Sequence, residues 1–214
     1  MGKLTGGPYY DLIGRTGNNV GRRVKGKNVF SMRPAKSNRP PSVLQLAQRN
    51  KFGYLVDWLA ELNQFIKIGF KDYDSEMSPM NACVKVNSKL GVVTGTYPLL
   101  TLDYQKVVLS QGLLDGAYHP ELASVAGGNV SFTWTLKTGS TNGEPTDKAT
   151  IILYGKNTGL YEMLIGVVDR SALEYELELS EDFLGDVVQG FIAFVSADGK
   201  LVSDSAWAGS VTVV

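Results

Sequence analysis

The run Gly21-Arg22-Arg23-Val24-Lys25-Gly26-Lys27-Asn28 is the sharpest chemical motif in the chain, because it matches the G-x-x-x-x-G-K of a phosphate-binding loop. That loop also needs a Ser or Thr after its lysine to hold Mg²⁺, a strand before it and a helix after it. Asn28 stands at the hydroxyl position, and Val29-Phe30-Ser31-Met32 before Pro34 reads as extended chain. The motif is therefore expected to be a turn in a basic hairpin, with no nucleotide or other cofactor. His119 is the only histidine and Cys83 the only cysteine. A general base needs partners within hydrogen-bond reach, and a zinc site needs several ligands. No catalytic residue and no metal site is assigned on this pattern. His119 reads as a loop residue, and Cys83, between Ala82 and Val84, as a small buried apolar group. Asp72, Asp74 and Glu76 alternate as calcium ligands do, but without the glycine and terminal glutamate of a calcium loop, so they read as a solvated acidic loop. Glu174, Glu176 and Glu178 alternate with apolar residues and are expected on the wet face of a strand, where charge discourages edge pairing.

Charge is the remaining signal. Residues 1–56 hold eleven Lys/Arg against Asp11 alone, a net of +10, while the other ten Lys/Arg face twenty Asp/Glu, a net of −10. Arg15, Arg22, Arg23, Lys25, Lys27 and Arg33, with Phe30 among them, are the candidate partner-binding residues, and Lys36 and Arg39 extend the series. Such asymmetry points to an acidic partner. One candidate is nucleic acid, whose phosphates these cations would neutralise in a salt-dependent way. The other is the acidic face of a second copy, in a head-to-tail contact that makes a ring or filament. Aromatics for base stacking are few (Tyr9, Tyr10 and Phe30), and no helix-turn-helix, zinc or RNA-recognition signature accompanies them. For a carbohydrate the large platforms are Trp58, Trp134 and Trp207, of which Trp58 and Trp134 are expected in the core.

The elements that would position these residues fall into three stretches. Residues 1–41 are rich in Gly and Pro between short apolar pieces, and read as a basic arm or as one or two weak hairpins. Residues 42–100 read as helical. After Pro40-Pro41, Ser42 and Gln45 form an S-x-x-Q capping box. Leu44, Ala47 or Gln48, Phe52, Leu55, Leu59, Leu62 and Ile66 then step by three to five, predicting one long helix over 42–70. Ser78-Pro79 predicts a second helix that runs to Leu90 and ends at Gly91. In residues 101–214 the period falls to two, and strands are expected at 106–110, 130–137, 149–154, 161–168, 173–179, 187–195 and 206–214. Seven short strands over about a hundred residues suggest an immunoglobulin- or fibronectin-like β-sandwich, so the fold class is mainly β with a helical N-terminal half.

Met1-Gly2-Lys3-Leu4 and Gly14-Arg15-Thr16-Gly17-Asn18-Asn19-Val20-Gly21 resemble the opening of an uncharacterised bacterial family found mainly in Bacteroidota. The likeness continues through Arg39-Pro40-Pro41-Ser42, Gly69-Phe70, Gly95-Thr96-Tyr97-Pro98, Ser110-Gln111-Gly112 and Ser203-Asp204-Ser205-Ala206-Trp207. The resemblance implies a family of unassigned function and supplies no catalytic residues.

The pattern as a whole favours a non-enzymatic structural or assembly protein. It would be a subunit of a filament, virion-like particle or surface array that self-associates through its N-terminal arm. The alternative is a binding module for nucleic acid or carbohydrate. An enzyme with a site on a loop such as Thr138 to Asp147 is the third and least favoured class. No apolar run approaches the ~18 residues that span a membrane, and no secretory signal opens the chain. Synthesis in the cytoplasm is expected, with extracellular or virion-associated placement as an assembly.

Overall fold

The computed structural model describes residues 2–4, 6–7, 9–35, 38–73, 77–137, 139 and 142–214, the side chains of 2–4 excepted. Met1, Lys36, Asp74, Glu76 and Thr138, named above, lie outside the described residues. The chain divides into two compact units, Met1–Ser42 and Val43–Val214. It is mainly β, with several sheets.

The first unit is more ordered than a loose arm. Strands β1 (Gly2–Leu4), β2 (Gly14–Thr16), β3 (Asn19–Val24) and β4 (Lys27–Met32) form one antiparallel sheet in the order β1-β4-β3-β2. Lys25 and Gly26 turn β3 into β4 with φ +48° and +75°. These left-handed values at both central positions suit a two-residue hairpin whose twist matches its strands. Little is enclosed, since among the described residues Val29 is the only buried hydrophobic before Leu55.

In the second unit the expected helix 42–70 is two helices, α1 (Val43–Ala60) and α2 (Asn63–Gly69). Leu62 adopts φ −89°, ψ 12°, and its N–H reaches back only to the Leu59 carbonyl, a three-residue turn that ends α1. The apolar stripe keeps its phase across that turn, so periodicity does not reveal it. The third helix, α3 (Pro79–Leu90), begins and ends as its sequence implies. The Ser78 hydroxyl accepts from the Asn81 N–H, Pro79 sits at the first helical position, and Gly91 closes the helix at φ +65°.

A hairpin that the pattern did not show follows, β5 (Val93–Thr96) with β6 (Leu99–Leu102). The strand expected at 106–110 is absent. A 3₁₀ turn over Tyr104–Lys106 and an irregular segment replace it, because the N–H groups of Val108, Leu109 and Ser110 donate to side chains rather than to a neighbouring strand. The other strands form near their expected places, with β7 (Tyr118–Val125) unforeseen before them: β8 (Asn129–Thr135), β9 (Lys148–Gly155), β10 (Tyr161–Asp169), β11 (Glu174–Glu178), β12 (Val187–Val195) and β13 (Ala206–Thr212). They make two sheets, β10-β9-β12-β13 and β11-β8-β7.

The first of these sheets is covered on both faces. Ile152, Phe191 and Ala193 pack with Leu55, Leu59, Phe65 and Ile66 of the helices. Their strand neighbours Ile151, Leu153, Ile192 and Phe194 pack with Val130, Phe132 and Trp134 of β8 and Leu177 of β11. Gly190 belongs to this second contact, where a Cβ would lie 2.9 Å from the Phe132 ring. Burial on both faces explains why β9 and β12 read as near-continuous apolar runs, while β11, an edge strand with one wet face, alternates strictly.

Candidate interaction surfaces

The basic candidates do not form one stripe. Register places Arg15 opposite Val20, Arg22 opposite Val29 and Lys27 opposite Val24. Because side chains alternate along a strand, Arg15, Arg22 and Lys27 share one face of the first sheet, all exposed. Arg23 and Phe30 occupy the other face. Arg23 Nε donates to Asn28 Oδ1 at 3.2 Å, and its Nη2 lies 3.5 Å from Asp11 Oδ1. Asn28 Nδ2 donates to the Tyr10 carbonyl, and Phe30 stacks on Tyr9 with ring centroids 6.2 Å apart. This face therefore holds the segment 9–12 onto the sheet. Gly21 lets that segment pass closely, since a Cβ there would sit 2.2 Å from the Leu12 carbonyl oxygen. Arg23 and Phe30 are thus occupied within the unit, a role for Tyr9, Tyr10 and Asp11 that no spacing signalled. Lys25 sits exposed at the hairpin turn, and Arg33 follows β4 with its backbone N–H on the Asn18 carbonyl at 2.8 Å.

The remaining sequence candidates resolve individually. The phosphate-loop match is the β3–β4 turn, followed by a strand, as the missing hydroxyl implied. His119 falls in strand β7 instead of a loop, exposed, at an irregularity where φ is +46° and its ring lies against Tyr118. Cys83 is fully buried beside Asn87, and burial pushes its thiol up to about 12. Glu174, Glu176 and Glu178 point to the wet side of β11. Among the described residues no group of three or more His, Cys, Asp or Glu could hold a metal ion. Trp58 and Trp134 are buried, and Trp207 is half-buried with its Nε1 donating to Gln189 Oε1 at 3.1 Å.

Several motifs that carried the family likeness meet at one place, a convergence that sequence separation hides. Ser110 Oγ donates to the Ser203 carbonyl at 2.6 Å and lies 3.3 Å from that of Gly69. Ser205 Oγ accepts from the Leu109 and Ser110 N–H groups, and Asp204 Oδ1 accepts from the Gly112 N–H at 3.0 Å. Gly112 has no room for a side chain, since a Cβ would stand 2.1 Å from the Val202 carbonyl oxygen. These bonds satisfy the polar groups of an irregular segment that would otherwise be buried unpaired, so the motif is structural. A second buried polar pair, Arg170 Nε to Asp147 Oδ2 at 3.1 Å, lies with the guanidinium 4.0 Å over the Phe194 ring. Desolvation lowers the Arg170 pKa while Asp147 opposes that shift.

Apolar side chains stand exposed along the first half of α1. Val43 and Leu44 are each 82% exposed and Phe52 is 54% exposed, whereas Leu55, Trp58 and Leu59 are buried. The sequence stripe that includes Leu44 and Phe52 is therefore enclosed only at its C-terminal end. Among the described residues, no helix is long and apolar enough to cross a membrane.

These features define a mainly β chain of two units, one of them a small basic sheet. The chain belongs to a family of unknown function, DUF6266, whose model matches residues 11–209. No curated protein matches it. Among solved structures, the fn3 domain of the human collagen alpha-1(XX) chain is similar with a TM-score of 0.33 and 12% identity, over 47% of this chain and 86% of that one.

Proposed function

We propose that the protein is a non-enzymatic assembly subunit that self-associates through its basic N-terminal unit into a filament, virion-like particle or surface array. The observation that carries this reading is that one unit is strongly basic and the other carries the acidic excess. Met1–Ser42 holds nine Lys/Arg against Asp11, and Val43–Val214 holds twelve Lys/Arg against twenty Asp/Glu. Opposite charge on two units of one chain favours a head-to-tail contact between copies, in which the basic unit of one meets the acidic unit of the next. The face with Arg15, Arg22 and Lys27 is the side offered to a neighbour. Within this reading, the two sheets of the second unit, packed through alternate side chains, form an immunoglobulin- or fibronectin-like sandwich. A bacterial source and release from the cell as an assembly complete it.

Light scattering with negative-stain electron microscopy, at low and high salt, tests the reading. Assemblies are expected at low salt that shrink when salt rises and that Arg22→Glu/Lys27→Glu abolishes. Low-salt assembly that the double charge reversal leaves intact would sink the basic unit's part in it. Nucleic-acid binding through the same face is the second reading, favoured by the cations alone. It has little stacking support, because Tyr9 and Phe30 are engaged with each other on the opposite face. A gel-shift titration whose affinity falls steeply with salt would favour it.

A further inference from the structure

The carboxylate excess of the second unit is concentrated in one stretch. Residues 171–199 hold seven Asp/Glu and no Lys or Arg. Three of the seven, Glu174, Glu176 and Glu178, stand exposed along β11. Register sets them opposite Thr133, Ser131 and Asn129 of β8, and sets Glu121 of β7 on the far side of Thr133. All four carboxylates therefore lie on the outer face of the β11-β8-β7 sheet, away from the inward Val130, Phe132 and Leu177. Successive carboxylates on β11 are roughly 7 Å apart along the strand. Asn129 Nδ2 donates to Glu176 Oε1 at 3.0 Å, while Asn129 Oδ1 is buried with no partner, so this face still holds an acceptor that favours a donor brought from outside.

The cations of the first unit are in line as well. Arg15 is opposite Val20 and Lys27 is opposite Val24, with Arg22 midway between those two valines on β3. Each step from β2 to β3 to β4 thus advances two residues, and the three cations fall on one straight diagonal of a single face. Diagonal neighbours in an antiparallel sheet lie about 7–8 Å apart. A line of three cations and a line of three carboxylates therefore have nearly the same spacing. We infer that the outer face of the β11-β8-β7 sheet receives the basic face of a second copy, with Arg15, Arg22 and Lys27 of one chain set along Glu174, Glu176 and Glu178 of the next. This pairing rests on the assembly role proposed for the basic unit and gives that unit its counterpart. The two faces differ, so the contact is heterologous and each added copy presents a fresh face, as a filament or ring requires. From β11 to β7 and from Glu174 to Glu178 the acidic face spans roughly 10 Å by 14 Å. A contact of that size is at the small end of interfaces, held by exposed ion pairs that salt screens.

Sedimentation velocity of the full chain at low salt tests the pairing by exchanging charge. Glu174→Lys/Glu176→Lys/Glu178→Lys should weaken association by roughly 100-fold or more, because like charges then face each other. Asp57→Lys/Glu61→Lys, at two exposed carboxylates elsewhere in the second unit, should leave it in place. The triple variant and Arg22→Glu/Lys27→Glu should each be monomeric alone and should assemble when mixed, since each then meets an opposite charge on the other. Wild-type assembly by the triple variant overturns the pairing, as does a mixture that stays monomeric or an equal loss in Asp57→Lys/Glu61→Lys. If the triple variant assembles while Arg22→Glu/Lys27→Glu does not, the basic-unit reading stands with a different counterpart. A wild-type chain that is monomeric at low salt overturns both. Should the triple variant fail to fold, Glu174→Gln/Glu176→Gln/Glu178→Gln should lose assembly at a lower salt concentration than the wild type, and an unchanged salt dependence overturns the pairing.

Discussion

The sheets β1-β4-β3-β2 and β10-β9-β12-β13 have the same number of strands and are both antiparallel, but they differ in what covers them. In the first, Val29 is buried, and one face is partly closed by segment 9–12 through an Asn28 bond and a Tyr9–Phe30 stack. In the second, helices close one face and a three-stranded sheet closes the other. Hydrogen-bonded ladders are similar in both, yet each bond contributes only ~1 kcal/mol net. Burial of apolar area is what makes the second sheet a core, and its lack leaves the first sheet dependent on its local turns and on segment 9–12.

The comparison can be broken most directly by truncating a buried side chain in each sheet. Phe191→Ala should cost about 3–5 kcal/mol and lower the melting temperature of the second unit by roughly 10 °C, as read by calorimetry. Val29→Ala should leave that transition where it is. Equal effects would mean that the two sheets share one cooperative core. Native-state hydrogen exchange gives the same contrast without mutation, with β9 and β12 amides protected on the order of 1,000-fold more than those of β3 and β4.

Two glycines sharpen the contrast between covered and uncovered backbone. Gly112→Ala meets the Val202 carbonyl oxygen at 2.1 Å and should destabilise the second unit by ~1–3 kcal/mol in denaturant titration. Gly53→Ala, within the exposed part of α1 and with nothing within 4 Å, should stabilise by ~0.5–1 kcal/mol. Opposite signs would confirm which surfaces are closed.

Smaller effects follow from ionisable groups. Burial raises the Asp186 pKa, but hydrogen bonds from the Thr158 hydroxyl and from the N–H groups of Thr158, Asn157 and Val187 outweigh it and hold the carboxyl below its ordinary value. Because the folded pKa is depressed, this contribution is complete above the unfolded value of about 4 and is lost as pH falls through the lower folded value. Asp186→Asn should flatten that acid limb in pH-dependent melting. Cys83, whose thiol burial holds neutral, should resist thiol reagents until the second unit opens. Glu176→Gln on the wet face of β11 should change stability by less than ~0.5 kcal/mol.

Legibility in the sequence followed the range of the interactions. The α3 caps were readable because Ser78, Pro79 and Gly91 act on backbone groups within a turn of themselves. The β3–β4 hairpin was readable for the same reason, as was the wet face of β11. β7 was missed because His119-Pro120 interrupts its period at the point where its pairing with β8 shifts register. The single helix was misread because α1 and α2 carry one stripe in phase. For the candidate surface, the cations were plain as a composition, but their division between two faces depended on the pairing of β2, β3 and β4.

By itself, then, the order of residues determined the caps of α3, most strands, the basic and acidic halves and the burial of Cys83. Each of these rests on local propensity or on a count. Only the tertiary structure decided that β9 and β12 are covered twice, that Ser110, Ser203 and Ser205 meet, and that Leu44 and Phe52 stand uncovered on a stripe whose other end is core. The physical reason is that apolar periodicity specifies which side of an element seeks cover, whereas the cover comes from elements far away in the chain, or from another chain.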